Sequence, residues 1–407
     1  MSGAEVDDWY ALLTARPGDT RWPRDIRARL AVLDEPGILF GVVSRMIGEN
    51  ARSPWYIEPI CDRLPAASLR QLAGEAARAR GDGDNKAAEA VIAYVSVQQP
   101  GALTAYLRAL WDISRNQRSG GASRPWRAAD DAEVTRLFEV AGDASGPDAG
   151  FAVRCLLETR RPEVLARLPT DDAHLAMVGF GRDSNGELRR LHASAVWHLA
   201  FPQAILEKWA SRYPLRRRQP SWPVHTGSGR QYLTSGFLDR ACPKCGHRLH
   251  RLLRLDPVPA GIGITSRGQV EFAWCPRCQD FIDAGYARHA PDGAPEPFTL
   301  GGSSDLDRQP ESFEDWFIPE TPVGLVRLGE RWEQQDWGQA NDRENLHRVG
   351  GEPTWIQGAD YPVCPGCTRT MSAAGQIAVA DLWNFEGICY LLWCDPCAIS
   401  AIVYQQT

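Results

Sequence analysis

Apolar residues recur at helical spacing through most of residues 22–212. The clearest stripe is Leu103, Tyr106, Leu107, Leu110 and Trp111, whose offsets of 0, 3, 4, 7 and 8 place all five on one face of a helix. Val91, Tyr94 and Val95 form a second stripe, Val134, Leu137, Phe138 and Ala141 a third, and Leu188, Leu191, Ala195 and Leu199 a fourth. Several helices are predicted to begin at a proline followed three or four residues later by Leu or Ile: Pro36/Leu39, Pro65/Leu69, Pro100/Leu103, Pro162/Leu165 and Pro202/Ile205. Proline suits a first turn because its missing N–H has no partner there. The gaps are 29, 35, 62 and 40 residues; 62 is close to two periods of 31, with Asp130-Asp131 able to cap the helix that lacks a proline. This cadence predicts stacked helix pairs over residues 1–215, a short α-solenoid of HEAT or armadillo type, with a plain helical bundle as the alternative.

The helical period stops around Arg216-Arg-Arg-Gln-Pro220, where the chain becomes rich in Gly, Pro, Trp and short alternating segments. The fold class expected is therefore α+β: a helical domain over 1–215 and a β-rich domain over 220–407. The stretches Ser119–Ser123 and Gly142–Pro147 read as loops and carry no phosphate-loop pattern. A length of 407 residues supports two or three domains, and 43% hydrophobic with 24% charged residues excludes global disorder. The longest apolar runs, Gly37–Val43 and Ile388–Cys394, are far short of the roughly 20 residues of a membrane span. The acidic start, Met1-Ser-Gly-Ala-Glu-Val-Asp-Asp, has no secretory-signal pattern, so the expectation is a cytoplasmic protein without membrane contact.

Eight of the eleven cysteines fall in four C-x-x-C pairs: Cys242/Cys245, Cys275/Cys278, Cys364/Cys367 and Cys394/Cys397. A tight turn of this spacing lets two thiolates approach one metal, and Pro243, Pro276, Pro365 and Pro396 restrict φ within the turns. The intervals are C-x2-C-x29-C-x2-C and C-x2-C-x26-C-x2-C, with 122 residues from the first pair to its counterpart, which points to internal duplication into halves at about 220–300 and 320–407. Two zinc-ribbon-like sites of four cysteines each are the economical reading. Disulfides and a thioredoxin-like redox pair are the alternatives, and a pseudo-symmetric fold could bring the first and last pairs into one site. Four thiolates fill the coordination sphere of zinc, so both sites are expected to be structural. His247, His250 and His289 lie nearby but four complete pairs leave them no place as ligands; Cys61, Cys155 and Cys389 are expected to be buried small apolar residues.

Only three of the 45 basic residues are lysine, as the composition of a GC-rich bacterial genome would give, so arginine abundance is weak evidence for nucleic acid. The net charge of −6 hides an asymmetry: Lys208–Arg254 carries eleven Lys/Arg and one acid, and Gly301–Pro353 carries twelve Asp/Glu and five Arg. These stretches either face each other or are solvated; the other reading is a basic nucleic-acid face. No G-x-S-x-G, Walker loop, dinucleotide fingerprint or H-E-x-x-H is present, so no enzyme is expected. Gly261-Ile-Gly263 is read as a bend in a β-connection. Fifteen tryptophans, eight of them from Trp222 onward, serve either as bulky core or as an aromatic binding surface.

The stretch Asn345-Leu-His-Arg-Val-Gly-Gly-Glu-Pro-Thr-Trp-Ile-Gln357, with Cys364-Pro-Gly-Cys367 and Met371, resembles the G-G-x-P-x-W-[IV]-Q and C-P-x-C…M signatures of YwqG-like bacterial proteins. The ending Ile388–Cys397 and Tyr404-Gln-Gln is similar to that family's last strand pair and terminal aromatic-Gln, so the resemblance covers about residues 220–407. After Met371 the chain departs from the family, with Ser372-Ala-Ala-Gly-Gln-Ile-Ala-Val-Ala in place of an aromatic-led strand; Gln376-Ile377 keeps the register. The resemblance, distantly extending to programmed-cell-death-2 proteins that chaperone a ribosomal protein, implies a pseudo-duplicated β-rich domain that binds proteins, in a chaperone or toxin-immunity role. The expected partner is a basic client such as a ribosomal protein or a toxin, with Trp332, Trp337 and Trp355 as candidate anchors. The rival is a nucleic-acid-binding zinc-ribbon protein using Arg216, Arg217, Arg218, Arg248, Arg251 and Arg254 in the basic stretch 208–254.

Overall fold

Helices form at the proline starts and at the apolar stripes, that of Leu188 to Leu199 excepted. The computed structural model describes residues 3–15, 24–51, 56–81, 84–116, 121–143, 146–227, 230–276, 284–298, 318–328, 343–382 and 387–406. Pro36 opens the helix Pro36–Gly48, and Pro65 precedes Ala66–Gly81, with its carbonyl accepting from Leu69 N–H at 3.1 Å. Pro100 opens a 3₁₀ turn, Pro100–Tyr106, that runs into Leu107–Ser114. Asp130 caps Asp131–Gly142, its carboxylate accepting from Glu133 N–H at 2.8 Å. Two caps of different origin thus do the same work: proline fixes φ, whereas aspartate satisfies an orphan donor.

The chain divides into two compact units, Met1–His174 with Arg217–Gln219, and Leu175–Arg216 with Pro220–Thr407. The first is helical, and sequential helices pack on each other, Ala66–Gly81 on Lys86–Gln98 and Asp131–Gly142 on Ala149–Glu158. Its core includes Trp111, Trp126 and Phe151, with ring centroids 5.0–5.8 Å apart.

The unit boundary at His174 corrects the one expected near Arg216. Leu188, Leu191, Ala195 and Leu199 do not form a helix; Leu188–Arg190 and Val196–Pro202 are strands. The local pattern was overridden by pairing partners far along the chain: Val196–Pro202 is bonded on its two edges by residues 324–326 and 348–350.

The strands are β1 (Phe180–Arg182), β2 (Leu188–Arg190), β3 (Val196–Pro202), β4 (Val224–His225), β5 (Tyr232–Thr234), β6 (Phe237–Ala241), β7 (Arg248–Leu255), β8 (Val270–Trp274), β9 (Gly285–His289), β10 (Pro295–Phe298), β11 (Thr321–Val326), β12 (Arg348–Gly350), β13 (Ser372–Ala378), β14 (Ile388–Cys394) and β15 (Ile399–Gln405). β1 and β2 pair alone; the rest form one sheet system in the order β10-β9-β15-β14-β13-β12-β3-β11-β5-β7-β6, with β4 on β3 and β8 on β7. β14 and β15 are buried along their whole length, which is why they read as continuous apolar runs rather than alternating ones.

The duplication expected from the cysteine spacing appears in one strand pair of each half. β7 pairs with β8 through His250↔Trp274, Arg251↔Ala273, Leu253↔Phe272, Arg254↔Glu271 and Leu255↔Val270, with a bulge between Arg251 and Leu253. β13 pairs with β14 through Ser372↔Trp393, Ala373↔Leu392, Gly375↔Leu391, Gln376↔Tyr390 and Ile377↔Cys389, with a bulge between Ala373 and Gly375. The first strands correspond at an offset of 122 residues and the second strands at 119, so the whole difference is three residues in the connecting loop. The repeats meet where β9 pairs antiparallel with β15.

Candidate metal centres

Each repeat places its cysteines at the open end of a hairpin. In the second, Cys364 and Cys367 lie on the turn before β13, and Cys394 ends β14 with Cys397 one 3₁₀ turn later. The four Sγ atoms lie within 4.8 Å of one another. In the first, Cys242 and Cys245 precede β7 and Cys275 follows β8, and their Sγ atoms are likewise within 4.8 Å. Cys278 lies outside the described residues. Pairs adjacent in sequence therefore converge, and the alternative of first and last pairs sharing a site is not what the fold builds.

The turns are built alike. Cys242 N–H donates to His247 O at 2.7 Å and Gly246 N–H to Cys242 O at 2.9 Å; Cys364 N–H donates to Arg369 O and Thr368 N–H to Cys364 O, each at 2.8 Å. In the three described pairs the residue after the second cysteine is left-handed, with φ of +71° at Gly246, +58° at Thr368 and +48° at Ala398. That conformation turns the chain back so that both thiols face one point. Of the three, only Gly246 carries a sequence signal for that conformation; threonine and alanine carry none.

The sulfur geometry separates metal from disulfide. Cys367 Sγ and Cys394 Sγ are 3.5 Å apart, and Cys245 Sγ and Cys275 Sγ are 3.6 Å apart. A disulfide needs about 2.05 Å, whereas the edge of a tetrahedron with metal–sulfur bonds of about 2.3 Å is about 3.8 Å. The seven described cysteines thus fit metal ions, four in one cluster and three in the other. Electrostatics agree. Hydrogen bonding with Cys275, helped by the N–H groups of Lys244 and Cys245, outweighs burial and draws the Cys242 thiol down to about 5. In the other cluster burial and neighbouring thiols push Cys397 up to about 11 and Cys394 higher, which is the strain a cation in the centre would remove.

Asp395, between Cys394 and Cys397, was not singled out by its sequence context. Its carboxylate accepts from Thr265 N–H at 2.8 Å, Ser266 N–H at 2.9 Å and Trp393 Nε1–H at 2.9 Å, tying the knuckle to the loop of the first repeat. Burial opposes its ionisation, but these donors and the Thr265 hydroxyl hold the carboxyl far below the usual range. Thr265 and Ser266 stand 130 and 129 residues away, so no local signal could show them.

The other candidate residues fall as follows. His250 Nε2 is 3.3 Å from Ser235 Oγ, and His289 bonds Gly293 O at 3.1 Å and Ser400 Oγ at 2.9 Å; both are buried outside the cysteine clusters. Cys61, Cys155 and Cys389 are buried thiols, as expected. Gly261 and Gly263, with φ of +83° and +82°, bend the β7–β8 connection. Trp355 is half-buried, 4.2 Å from the Tyr390 ring and 5.1 Å from Tyr361. Trp332 and Trp337, and most of the acidic stretch, lie outside the described residues. Of the basic stretch, Arg216 is buried against Asp381 at 2.5 Å, and Arg251 is buried against Glu271 at 2.5 Å with Glu320 also in contact. Arg254 pairs with Asp256 at 3.2 Å, and Arg248 lies over Phe237. The side chains of Arg217 and Arg218 lie outside the described residues.

The Gly350–Gln357 motif is a hydrogen-bonded pin, buried at Gly350, Gly351, Pro353 and Thr354 and exposed at Gln357. A Cβ on Gly350, at φ +71°, would fall 2.0 Å from Ala195 O, so only glycine fits against β3. Thr354 N–H donates to Gln376 Oε1 at 2.8 Å, Ile356 N–H to Tyr390 Oη and Gln405 Oε1 at 3.1 Å each, and Gln357 N–H to Gln405 Oε1 at 3.0 Å. The retained Gln376 and the terminal Gln405 therefore anchor one loop.

No family model matches the chain, and no solved structure matches it. A curated relative is the uncharacterized protein YpfL of Salmonella typhimurium, 28% identical over 172 residues. The match spans 41% of this chain and 39% of the relative, well under half of that protein's length. No helix among the described residues is long and apolar enough to cross a membrane.

Proposed function

We propose that the protein is a zinc-stabilised protein-interaction protein, a HEAT- or armadillo-like helical array joined to a YwqG-like zinc-ribbon domain that binds a protein client in a chaperone-like or immunity-type role. The observation that carries this reading is the closed four-thiol cluster of Cys364, Cys367, Cys394 and Cys397 on a duplicated hairpin. Four thiolates complete a tetrahedral sphere and leave no position for water or substrate, so zinc there supplies folding energy rather than chemistry. Cys242, Cys245 and Cys275, with Cys278, would hold the second ion. Sequential helix pairing in the first unit supports the array, and the resemblance to YwqG-like proteins supports client binding in the cytoplasm. The client expected is a basic protein, drawn to the acidic stretch 301–353.

Nucleic-acid binding ranks second because Arg216 and Arg251, central to that reading, are buried in ion pairs. Affinity capture from native lysate with and without nuclease tests both. A discrete basic protein that survives nuclease supports the client reading; capture of nucleic acid alone, released by moderate salt, refutes it.

A further inference from the structure

The second cysteine cluster has a cationic neighbour far from it in the chain. On the β1–β2 hairpin, Arg189 is half-buried, and its guanidinium donates to Ser372 Oγ at 2.8 Å and to Thr370 O. Thr370 lies three residues after Cys367, and Ser372 is paired across β13 and β14 with Trp393, the residue before Cys394. The backbone fixes the hairpin there as well, Ala373 N–H donating to Leu191 O at 2.7 Å. Both acceptors of the guanidinium are neutral, and among the described residues it forms no ion pair. Asp183 of the same hairpin attracts it without pairing, its Oδ1 accepting from Asn185 N–H at 2.8 Å and Glu187 N–H at 2.9 Å. Arg369, two residues past Cys367, repels it. Burial depresses the Arg189 pKa, and the strongest attraction opposing this comes from the Cys394 thiol, with Cys367 contributing too. A half-buried guanidinium near a second one, with neither in an ion pair among the described residues, calls for an anion.

We propose that Arg189, seconded by Arg369, is the counter-ion of the metal centre formed by Cys364, Cys367, Cys394 and Cys397. The inference rests on the metal reading of that cluster. Four thiolates around a divalent ion leave two negative charges over, and a cation fixed beside the ligands stabilises that excess. Arg189 is thus a positioning residue and not a ligand: Thr370 O and Ser372 Oγ hold its guanidinium in place, and its charge acts on the thiolates through space. Coupling of this kind is reciprocal, so the metal in turn secures the β1–β2 hairpin against β13. The hydrogen bonds of the guanidinium all run to the second repeat, which makes the first cluster an internal control.

In the test, the zinc-loaded full chain is challenged with increasing EDTA, pulse-alkylated with N-ethylmaleimide and mapped by peptide mass spectrometry, which reads each cluster through its own cysteines. Arg189→Gln, which keeps hydrogen-bond donors and removes the charge, should lower the EDTA concentration that half-exposes Cys364, Cys367, Cys394 and Cys397 about tenfold, leaving that for Cys242, Cys245 and Cys275 unchanged. Arg189→Lys, which keeps the charge, and Ser372→Ala, which removes one hydrogen bond and no charge, should stay within about threefold of the native chain. Arg369→Gln, at an exposed and screened position, should cost the second cluster about threefold. If Arg189→Gln fails to fold, Arg369→Gln decides, and no loss there overturns the proposal. An unchanged second cluster in Arg189→Gln, equal loss from both clusters, or an effect of Ser372→Ala as large as that of Arg189→Gln would also overturn it. Alkylation of the second cluster in the zinc-loaded native chain before any chelator is added would refute metal binding there, and this proposal with it.

Discussion

Replacing Asp381 by Asn should destabilise the β-rich unit by about 3–5 kcal/mol. Asp381 is 6% exposed, and its two oxygens are held by Arg216 at 2.5 Å and His347 Nε2 at 2.9 Å. Arg216 is 7% exposed and His347 fully buried, with the guanidinium 4.6 Å from the Trp222 ring centroid and 4.4 Å from that of Tyr213. Asparagine keeps the shape and removes the charge that the buried guanidinium faces at 2.5 Å. That is the costly way to break a buried pair. The pair also fixes an acid dependence. Burial penalises the carboxylate, but Arg216 and then His347 outweigh it and hold Asp381 below the usual carboxylate range. A depressed folded pKa gives stability that is complete above the unfolded value of about 3.9 and is lost as pH falls through the folded value. The assay is urea unfolding of the metal-loaded protein at pH 7, followed by tryptophan fluorescence, with Trp209 and Trp222 beside the pair. Arg216→Met with Asp381→Leu, removing both charges, should recover most of the loss, with a coupling of about 1–3 kcal/mol. A loss below about 1 kcal/mol for Asp381→Asn, or no coupling, would refute the reasoning.

Other outcomes follow from the same geometry. Mass spectrometry should find two zinc equivalents per chain, and Cys394→Ser or Cys242→Ser should each lose one and unfold the β-rich unit while circular dichroism retains the helical signal; full metal retention in both would contradict the two-site arrangement. His289 donates through Nδ1 to Gly293 O and accepts from Ser400, and burial lowers its pKa to about 4. Its neutral form is therefore required: stability should be complete above about pH 6.5 and fall by roughly 3 kcal/mol as pH drops toward 4, a slope that His289→Gln should flatten. Tyr390→Phe removes the hydrogen bond that Thr354 O accepts from the phenol at 2.6 Å, and should cost about 2 kcal/mol in chemical denaturation. Ala398→Gly relieves a left-handed alanine and should leave stability unchanged or raise it by up to about 1 kcal/mol; a clear loss in thermal melts would mean the knuckle does not need that backbone.

By itself the sequence determined whatever is local. The helix starts at Pro36 and Pro65, the Asp130 cap and the described C-x-x-C turns each depend on residues within one or two turns, and each stands where its pattern puts it. The 122-residue spacing announced the duplication because a repeat preserves register. Tertiary structure decided what depends on partners distant in the chain. Val196–Pro202 has a helical-looking apolar pattern, but its backbone groups are satisfied by strands more than a hundred residues later, which moved the unit boundary to His174. Arg216 and Arg251 read as a basic surface until the fold set Asp381, Glu271 and Glu320 against them.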